Sequence, residues 1–296
     1  MTTQTLTFAR PAIATAFLPL LFILMWSSGY VAGKIAVPYA GPFTLVFIRF
    51  SVAAVILLIA AIVLRASWPK SFREFCHIAM VGVLIQAVQF SGLYSGISLG
   101  VSAGVSALIV GTMPVFTALG AGWLLKEKVT ARQWMGLLIG LVGVILVVAH
   151  KLHLGEAGVE GYLAVVLALF GITTGTLYQK RFCTTMDIRT GGFIQLTVAS
   201  LITFIFALQY EDLAVTWSTE FILSSAWMSL VNSIGAISVL YMLIRRGEAS
   251  RVASLFYLIP SVTALMAFVV LGEKLSTLAL LGFAVTATGV WLSNKR

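Results

Sequence analysis

The chain has 296 residues, of which 60% are hydrophobic and only 10% are charged, and its formal net charge is +9. A soluble domain is about half apolar and a quarter charged, so this composition excludes an ordinary soluble protein. The basic residues are dispersed between apolar runs and form no single basic face, which argues against nucleic acid as a partner. The composition therefore indicates that a lipid bilayer surrounds most of the chain.

Ten apolar runs of helical length follow one another along the chain, with short connections between them. A bilayer core of about 30 Å is crossed by roughly 20 apolar residues in a helix. We expect spans near 12–33, 42–64, 75–98, 101–125, 132–149, 161–180, 191–210, 221–245, 251–271 and 276–293. No small-residue cleavage site precedes the first run, so we expect this helix to be retained. The sequence thus predicts an all-α membrane protein with ten transmembrane helices.

The lysines and arginines fall mainly on one side of this arrangement. Fifteen lie on that side: Arg10, Arg65, Lys70, Arg73, Lys126, Lys128, Arg132, Lys180, Arg181, Arg189, Arg245, Arg246, Arg251, Lys295 and Arg296. The other side holds Lys34, Lys151 and Lys274. Because cytoplasmic loops are enriched in Lys and Arg, both chain termini are predicted to be cytoplasmic.

The two halves of the sequence align with each other at an offset of 146 residues. The aligned pairs include Pro114 with Pro260, Glu127 with Glu273, Gly136 with Gly282, and Gly143 with Gly289. The same offset aligns Gly29 with Gly175, Lys34 with Lys180, Ser51 with Thr197, and Gln86 with Asn232. This pattern predicts two five-helix repeats, 1–150 and 151–296. An odd number of helices per repeat makes the second repeat inverted in the membrane, an architecture suited to alternating access.

Three segments resemble a known family. They are WSSGYVAGK (Trp26–Lys34), PVFTALGAGWLLKEKVTARQWMGLLIGLVGVILV, and its repeat IPSVTALMAFVVLGEKLSTLALLGFAVTATGV. Together they resemble the drug/metabolite transporter superfamily, in its EamA-type ten-helix branch. The resemblance implies a bacterial inner-membrane protein that exports small metabolites. Amino acids, including aromatic ones, are the substrates that it implies first.

Polar amides lie near the centres of two spans. Gln86 and Asn232 are exchanged by the repeat, and Gln89 lies one helical turn from Gln86. Amide groups both donate and accept hydrogen bonds, so these side chains are candidates for binding either end of a zwitterion. The alternative is hydrogen bonding between helices, a common use of polar residues in membrane bundles.

Arg49 is the one formal charge within a predicted span, about 10 Å below the boundary near Pro42. An ionisable residue inside a membrane is a functional candidate by default. The functional interpretation is a clamp for the carboxylate of a substrate. In the structural interpretation, the guanidinium binds helix-end carbonyls or extends outward to the interface. The repeat counterpart, Gln195, is uncharged.

Aromatic residues recur at similar depths in the predicted spans. Those that we expect to contact a substrate are Trp26, Tyr30, Tyr94, Tyr178 and Tyr257. Aromatic rings stack on aromatic or aliphatic groups, whereas each residue alone is also consistent with packing or an interfacial belt.

Pro114 and Pro260 are predicted to lie near the middle of the fourth and ninth spans. A proline there removes one amide donor and frees the carbonyl four residues earlier, here of Val110 and Phe256. Such carbonyls are tolerated in a membrane where they face protein or a wet cavity. We expect kinks beside a substrate cavity, and packing kinks are the alternative.

Two other classes of function were weighed against a transporter. A hydrolase is suggested by Gly100–Gly104, whose G-x-S-x-G pattern includes Ser102, but this segment lies in a predicted hairpin without a nearby base. The second alternative is an ion channel or an energy-coupled pump, such as a proton-coupled exporter of drugs or other metabolites. All ten acidic residues are predicted in loops or at helix ends, which favours uniport or exchange.

The expected partners are a small-molecule substrate and the lipid bilayer. We expect no cofactor, because Walker sequences are absent, and no metal, because Cys76 and Cys183 lack metal-site spacing. We expect a monomer, with homodimerisation through the glycine-rich fifth and tenth spans left open.

Overall fold

The computed structural model describes residues 17–101, 106, 109–148, 157–247, 249–272 and 276–295. In chain order the helices are α1 (Leu18–Tyr39), α2 (Pro42–Val63), α3 (Phe72–Ser98), α4 (Ile109–Leu125), α5 (Ala131–Val147), α6 (Val159–Phe182), α7 (Ile188–Tyr210), α8 (Thr219–Arg246), α9 (Ala249–Val270) and α10 (Thr277–Asn294). Extended pairing in the described chain is limited to a bridge between Ala40 and Val215. The predicted all-α fold class is confirmed.

Eight of these helices are long and apolar enough to cross a membrane, and α4 and α5 are shorter apolar helices. Each lies where the sequence predicts a span. The chain is therefore a multi-pass membrane protein. The full count of ten spans stays a prediction, since residues 102–105, 107–108 and 149–156 beside the two shorter helices lie outside the described part.

Helices α5 and α10, which the internal repeat makes equivalent, pack closely on each other. Gly136 lies against the backbone of Gly289, and Gly143 lies against the backbone of Gly282. Residue numbers rise along α5 as they fall along α10, so the two helices are antiparallel. Close approach requires glycine here, because a Cβ on Gly289 would lie 2.3 Å from the nitrogen of Gly140.

Helices α2 and α7, a second equivalent pair, are antiparallel as well. Phe43 stacks on Phe206 with ring centroids 5.4 Å apart. Farther along α2, the Ser51 and Ser200 hydroxyl oxygens lie 2.6 Å apart. These contacts put the start of α2 beside the end of α7. The start of α7 therefore lies at the other end of the bundle.

The bundle accordingly has two ends, which we name after the residues where α2 and α7 begin: the Pro42 end and the Ile188 end. At the Pro42 end, the Glu211 carboxylate accepts hydrogen bonds from the backbone N–H groups of Phe43 and Thr44, both at 2.8 Å. The Thr44 hydroxyl donates to it at 2.6 Å. The loop after α7 thereby satisfies the free amides that begin α2.

At the Ile188 end, charged side chains cap two helices of the second half. The Lys180 ammonium donates to the carbonyl oxygens of Ile244 and Gly247, both at 2.6 Å, and so caps the end of α8. The Glu127 carboxylate accepts a hydrogen bond from the N–H of Ala249 at 3.0 Å, at the start of α9. The contact between Glu127 and Ala249 ties the two halves of the chain together.

Two helices contain π-helical segments at positions that the repeat exchanges. They are Gly82–Val88 in α3, which contains Gln86, and Met228–Ala236 in α8, which contains Asn232. A π-helical segment often marks a functional site. Gly29 in α1 allows the segment of α8 to approach, since a Cβ at Gly29 would lie 2.6 Å from the Asn232 amide nitrogen.

Both predicted proline kinks coincide with interruptions of the α-helix. The regular part of α4 begins at Met113 after a turn at Thr112, so Pro114 lies in a first helical turn. In α9, a short 3₁₀ segment, Leu255–Tyr257, precedes Pro260. Proline suits such positions, because the first residues of a helix segment have no internal hydrogen-bond acceptor for their N–H groups.

Candidate binding cavity

A narrow cavity lies between α1, α2, α3 and α8. It is lined by Trp26, Gly29, Tyr30, Arg49, Phe90, Leu93, Tyr94 and Asn232. The volume open to the centre of a water molecule is about 20 Å³. That is room for roughly one water and far below the several hundred Å³ of a metabolite pocket. In this conformation the cavity is therefore too small for a metabolite.

Arg49 is the charged residue of the cavity, and it is 1% exposed. Its Nε and Nη2 atoms donate to the Ser233 hydroxyl at 3.1 and 3.0 Å, and Nη1 donates to the Tyr94 hydroxyl at 3.3 Å. The guanidinium carbon lies 4.6 Å from the ring centroid of Phe90 and 5.1 Å from that of Phe50. We call Arg49, Phe90, Tyr94 and Ser233 the Arg49 cluster.

The described partners of Arg49 are thus hydroxyl groups and aromatic faces. The guanidinium neither extends outward nor binds a helix-end carbonyl in the described chain, and these were the contacts that the structural interpretation expected. The described ion pair elsewhere in the chain joins Arg189 to Asp187. Buried charges in proteins are ordinarily paired with an opposite charge. The cavity therefore carries an excess positive charge.

Aromatic rings form the apolar wall of the cavity. The Trp26 ring lies 6.2 Å from that of Phe90 and meets Phe256 edge-on at 5.1 Å. Tyr94 stacks on Phe90 at 6.4 Å, one helical turn apart on α3. Tyr30 follows Trp26 by one turn of α1 and lines the same space. The rings offer a flat apolar surface beside the guanidinium.

Asn232 places an amide of α8 in the wall of the cavity. Its Nδ2 donates to the Met25 carbonyl oxygen of α1. Its Oδ1 is buried and has no hydrogen-bond partner among the described residues. An unpaired acceptor at a cavity wall is suited to a hydrogen-bond donor such as an ammonium group.

Gln86 lies in a different place from Asn232. It is 0% exposed, beside the hydroxyl of Tyr241, in a polar group that also contains Gln179 and Gln195. Tyr241 Oη donates to Gln195 Oε1 at 2.6 Å, and Gln195 Nε2 lies 3.5 Å from Gln179 Oε1. We call Gln86, Gln179, Gln195 and Tyr241 the glutamine cluster.

Other residues predicted at the site lie outside the cavity lining. Gln89 is buried, with an unpaired Oε1. The Tyr178 hydroxyl lies 2.7 Å from Nδ1 of His77, toward the Ile188 end. Tyr257 is buried against Gly140 of α5. Neither Pro114 nor Pro260 lines the cavity. The structure thus brings together Trp26, Tyr30, Arg49, Tyr94 and Asn232.

The sequence analysis missed four residues of the site: Gly29, Phe90, Leu93 and Ser233. Phe90 and Tyr94 are spaced i and i+4 on α3, so helical spacing from Tyr94 would have found Phe90. Ser233 follows Asn232 directly, and an α-helix points such neighbours about 100° apart, so Asn232 does not predict Ser233 at the same cavity. The π-helical segment changes this angle.

The described residues contain no group of three or more His, Cys, Asp and Glu side chains suited to a metal ion. Ser102, the central residue of the hydrolase-like pattern, lies outside the described residues, as do His150 and His153.

Comparison with known proteins identifies the family. The profile of the EamA-like transporter family matches residues 12–149 and again residues 159–295. The uncharacterized transporter YvbV of Bacillus subtilis (strain 168) is 28% identical, over 97% of this chain and 93% of its own. The uncharacterized inner membrane transporter YedA of Escherichia coli (strain K12) is 27% identical, over 91% and 87%.

A third relative carries a substrate in its name. It is a "probable terminal-alkyne amino-acid exporter" of Streptantibioticus cattleyicolor, 30% identical over 93% of this chain and 92% of its own. A crystal structure of a protein with 17% sequence identity has the same fold, with a TM-score of 0.80 over 95% of this chain and 97% of that one. With both halves matching the family profile, this chain belongs to the EamA-like transporter family.

Proposed function

We propose that this protein exports amino acids or similar small amphiphilic carboxylates across the bacterial inner membrane by alternating access. The observation that carries the proposal is Arg49, a buried guanidinium in an aromatic cavity whose described partners are all neutral. Retaining such a charge is costly unless an anionic group neutralises it.

The geometry of the guanidinium favours a carboxylate as that anion. Arginine has five N–H donors, and the planar fork matches two carboxylate oxygens. The three described hydrogen bonds of Arg49 go to two hydroxyl groups, those of Ser233 and Tyr94. The Ser233 hydroxyl can turn away by a change of side-chain rotamer, which frees Nε and Nη2 for a carboxylate. The same positive charge disfavours cationic drugs as cargo.

The remaining walls suit the other parts of an amino acid. The free Oδ1 of Asn232 is an acceptor for the ammonium group. Trp26, Tyr30 and Phe90 provide surface for an apolar or aromatic side chain. An amino acid would then lie between α2, which holds its carboxylate, and α8, which holds its ammonium group. The relative named as an amino-acid exporter supports this substrate class.

Alternating access follows from inverted repeats, and two observations support them. The family profile matches each half of the chain. The equivalent helices α2 and α7, and also α5 and α10, pack antiparallel, as a two-fold axis in the membrane plane demands. The positive-inside rule makes the Ile188 end cytoplasmic, because Lys70, Arg73, Lys180, Arg181, Arg245 and Arg246 lie there.

For energy coupling we propose uniport or exchange down the gradient of the cargo. The acidic residues that the structure describes lie in loops or in first helical turns, away from the cavity. A carboxylate relay for protons is therefore not part of the described cavity. We propose a monomer, since the glycines of α5 are already packed on α10 of the same chain.

Transport in liposomes tests this proposal. The purified protein is reconstituted with a panel of labelled amino acids, nucleosides and cationic drugs, each with and without a proton gradient. We expect the amino acids to move, with aromatic and aliphatic ones fastest, and without need of the gradient. Movement of drugs alone, driven by the gradient, would instead establish the proton-coupled multidrug exporter.

A further inference from the structure

Gln86 is a buried polar side chain that packing does not explain. It is 0% exposed, and neither its amide nitrogen nor its amide oxygen has a hydrogen-bond partner in the described chain. The adjacent Tyr241 hydroxyl donates to Gln195 instead. A buried amide normally has partners, because the hydrogen bonds that it loses from water are otherwise not replaced. Even with one amide hydrogen directed to the Tyr241 hydroxyl, Gln86 has its oxygen and its second amide hydrogen free for another group.

The internal repeat relates the glutamine cluster to the Arg49 cavity. At the offset of 146 residues, Gln195 is the counterpart of Arg49 and Gln86 is the counterpart of Asn232. Gln195 lies seven residues from the start of α7, as Arg49 lies seven residues from the start of α2, or about 10 Å in each case. Since α2 and α7 are antiparallel, the two clusters lie in opposite halves of the membrane.

The clusters differ in how their space is filled. Gln179 stands where the other half has Gly33, and Tyr241 stands where it has Ser95. Both larger side chains are 0% exposed, and their polar atoms are bonded to Gln195 and to the carbonyl of Cys183. The glutamine cluster is thus closed in the conformation in which the Arg49 cavity contains free space.

We infer that the glutamine cluster is a second half-site for the cargo, at the Ile188 end, which binds an amino acid through neutral amides and a hydroxyl. This inference rests on the proposed function, because it concerns the same cargo. Amides offer donors to the carboxylate and acceptors to the ammonium group. Without a formal charge, this half-site binds the zwitterion more weakly than Arg49 does.

Alternating access explains why Gln86 has no partner in this conformation. When the helices tilt to open the Ile188 end, Gln179 and Tyr241 separate and the space beside Gln86 becomes available to the cargo. The amino acid first meets the neutral half-site and then passes about 9 Å along α2 to Arg49. A neutral inner half-site releases the cargo readily to the charged one, and the net direction of transport follows the gradient of the cargo.

Thiol labelling tests whether the cluster opens and binds cargo. Gln86→Cys is made in a background with Cys76→Ser and Cys183→Ser, and a membrane-impermeant thiol reagent is applied to the face at the Ile188 end. We expect labelling, and we expect excess phenylalanine to slow it about tenfold, in line with one to two hydrogen bonds. Ile85→Cys, a neighbouring buried position packed on Gly175, is the control and stays unlabelled.

A Gln86 that serves only helix packing gives a different result. In that case Gln86→Cys is not labelled, or is labelled at the same rate with and without phenylalanine, and either result overturns the inference. Failure of the proposed function would appear separately, as a wild-type protein that transports no amino acid. Wild-type transport of phenylalanine without protection of Gln86→Cys would reject the half-site alone.

Sided kinetics provide a second readout. Gln86→Leu should raise the half-saturating phenylalanine concentration about tenfold at the Ile188 face and change it less than about twofold at the Pro42 face. Asn232→Leu should raise the half-saturating concentration at the Pro42 face and change it little at the Ile188 face. The thermal midpoint of Gln86→Leu should equal or exceed that of the wild type, because an unpaired amide is replaced by an apolar group. A lower midpoint with equal effects at both faces would contradict the inference.

Discussion

The Arg49 cluster and the glutamine cluster are built around equivalent residues of the two halves, Arg49 and Gln195, but differ in chemistry. Arg49 carries a charge beside free space, whereas Gln195 is neutral and bonded to Tyr241 at 2.6 Å. The helices that carry them are tied together by close contacts. A duplicated scaffold has therefore kept its backbone packing while its polar residues diverged.

Introducing the charge of one cluster into the other should have the largest effect. Gln195→Arg places a guanidinium in a closed cluster, where Gln179 is 0% exposed and stands at the position that Gly33 has in the other half. We expect a loss of about 3–5 kcal/mol in the free energy of unfolding, the usual cost of an uncompensated buried charge. Thermal unfolding in detergent measures it. Gln195→Met is the control, and equal stability of the two variants would mean that the clusters tolerate charge alike.

Substitutions at the equivalent glycines Gly29 and Gly175 distinguish an effect on transport from an effect on helix packing. A Cβ at Gly29 would lie 2.6 Å from the Asn232 amide, and a Cβ at Gly175 would lie 2.4 Å from an Ile85 side-chain carbon and 3.2 Å from its backbone nitrogen. We expect Gly29→Ala to reduce transport about tenfold with little change in stability. Gly175→Ala should cost about 1–3 kcal/mol in stability, as overpacking does.

The control for both glycines is Gly122→Ala, whose Cβ would have its nearest neighbour at 3.8 Å. It should leave transport and the thermal midpoint unchanged. If Gly29→Ala lowered the midpoint as much as Gly175→Ala, the Gly29 contact would be a packing contact like that of Gly175.

The start of the helix that carries Arg49 depends on Glu211. Glu211→Gln removes a charge that accepts two backbone N–H groups and the Thr44 hydroxyl. We expect a loss of about 1–2 kcal/mol in the free energy of unfolding, as for other helix caps. Asp212→Asn is the neighbouring control, because Asp212 accepts a single hydrogen bond, from Ala214 at 3.1 Å. Equal losses in the two variants would contradict the role of Glu211.

The smallest expected effect is chemical and concerns the cysteines near the Ile188 end. Cys76 is exposed, whereas Cys183 is buried at the end of α6, where burial raises the pKa of its thiol to about 12. Because the thiolate is the reactive form, Cys183 stays protonated until the pH approaches that value. A maleimide at pH 7.5 should label Cys76 at least about tenfold faster. Mass spectrometry measures both rates, and similar rates would show that the glutamine cluster is open at its end.

Much of the fold could be predicted from the sequence, because apolar length and the internal offset are local patterns. Arg49 stood out as a charge in an apolar run, and Trp26, Tyr30, Tyr94 and Asn232 do meet at its cavity. The grouping of Gln86 with Asn232 was the weaker step. A two-fold axis in the membrane plane places equivalent residues at the same distance above and below that plane. Gln86 and Asn232 therefore lie apart unless both are close to the axis.

Other features depended on tertiary contacts that no single segment encodes. The π-helical segments around Gln86 and Asn232 arise where helices approach closely at glycine, and helical periodicity alone does not reveal them. Tyr178 was expected at the cavity from its depth, but its hydroxyl lies beside His77. Depth along a span can be counted from the sequence, whereas the direction of a side chain depends on the neighbouring helices.

The central claim is that Arg49 binds the carboxylate of the cargo, and a comparison of phenylalanine with phenethylamine tests it most directly. Both carry the same ring and ammonium group, and the amine lacks the carboxylate. Initial transport rates are measured in proteoliposomes for the wild type, Arg49→Gln, and the control Arg189→Gln, whose arginine pairs with Asp187. We predict that the wild type and the control prefer phenylalanine by about 100-fold, equivalent to roughly 3 kcal/mol. Arg49→Gln should lose this preference, and a variant that kept it would contradict the account.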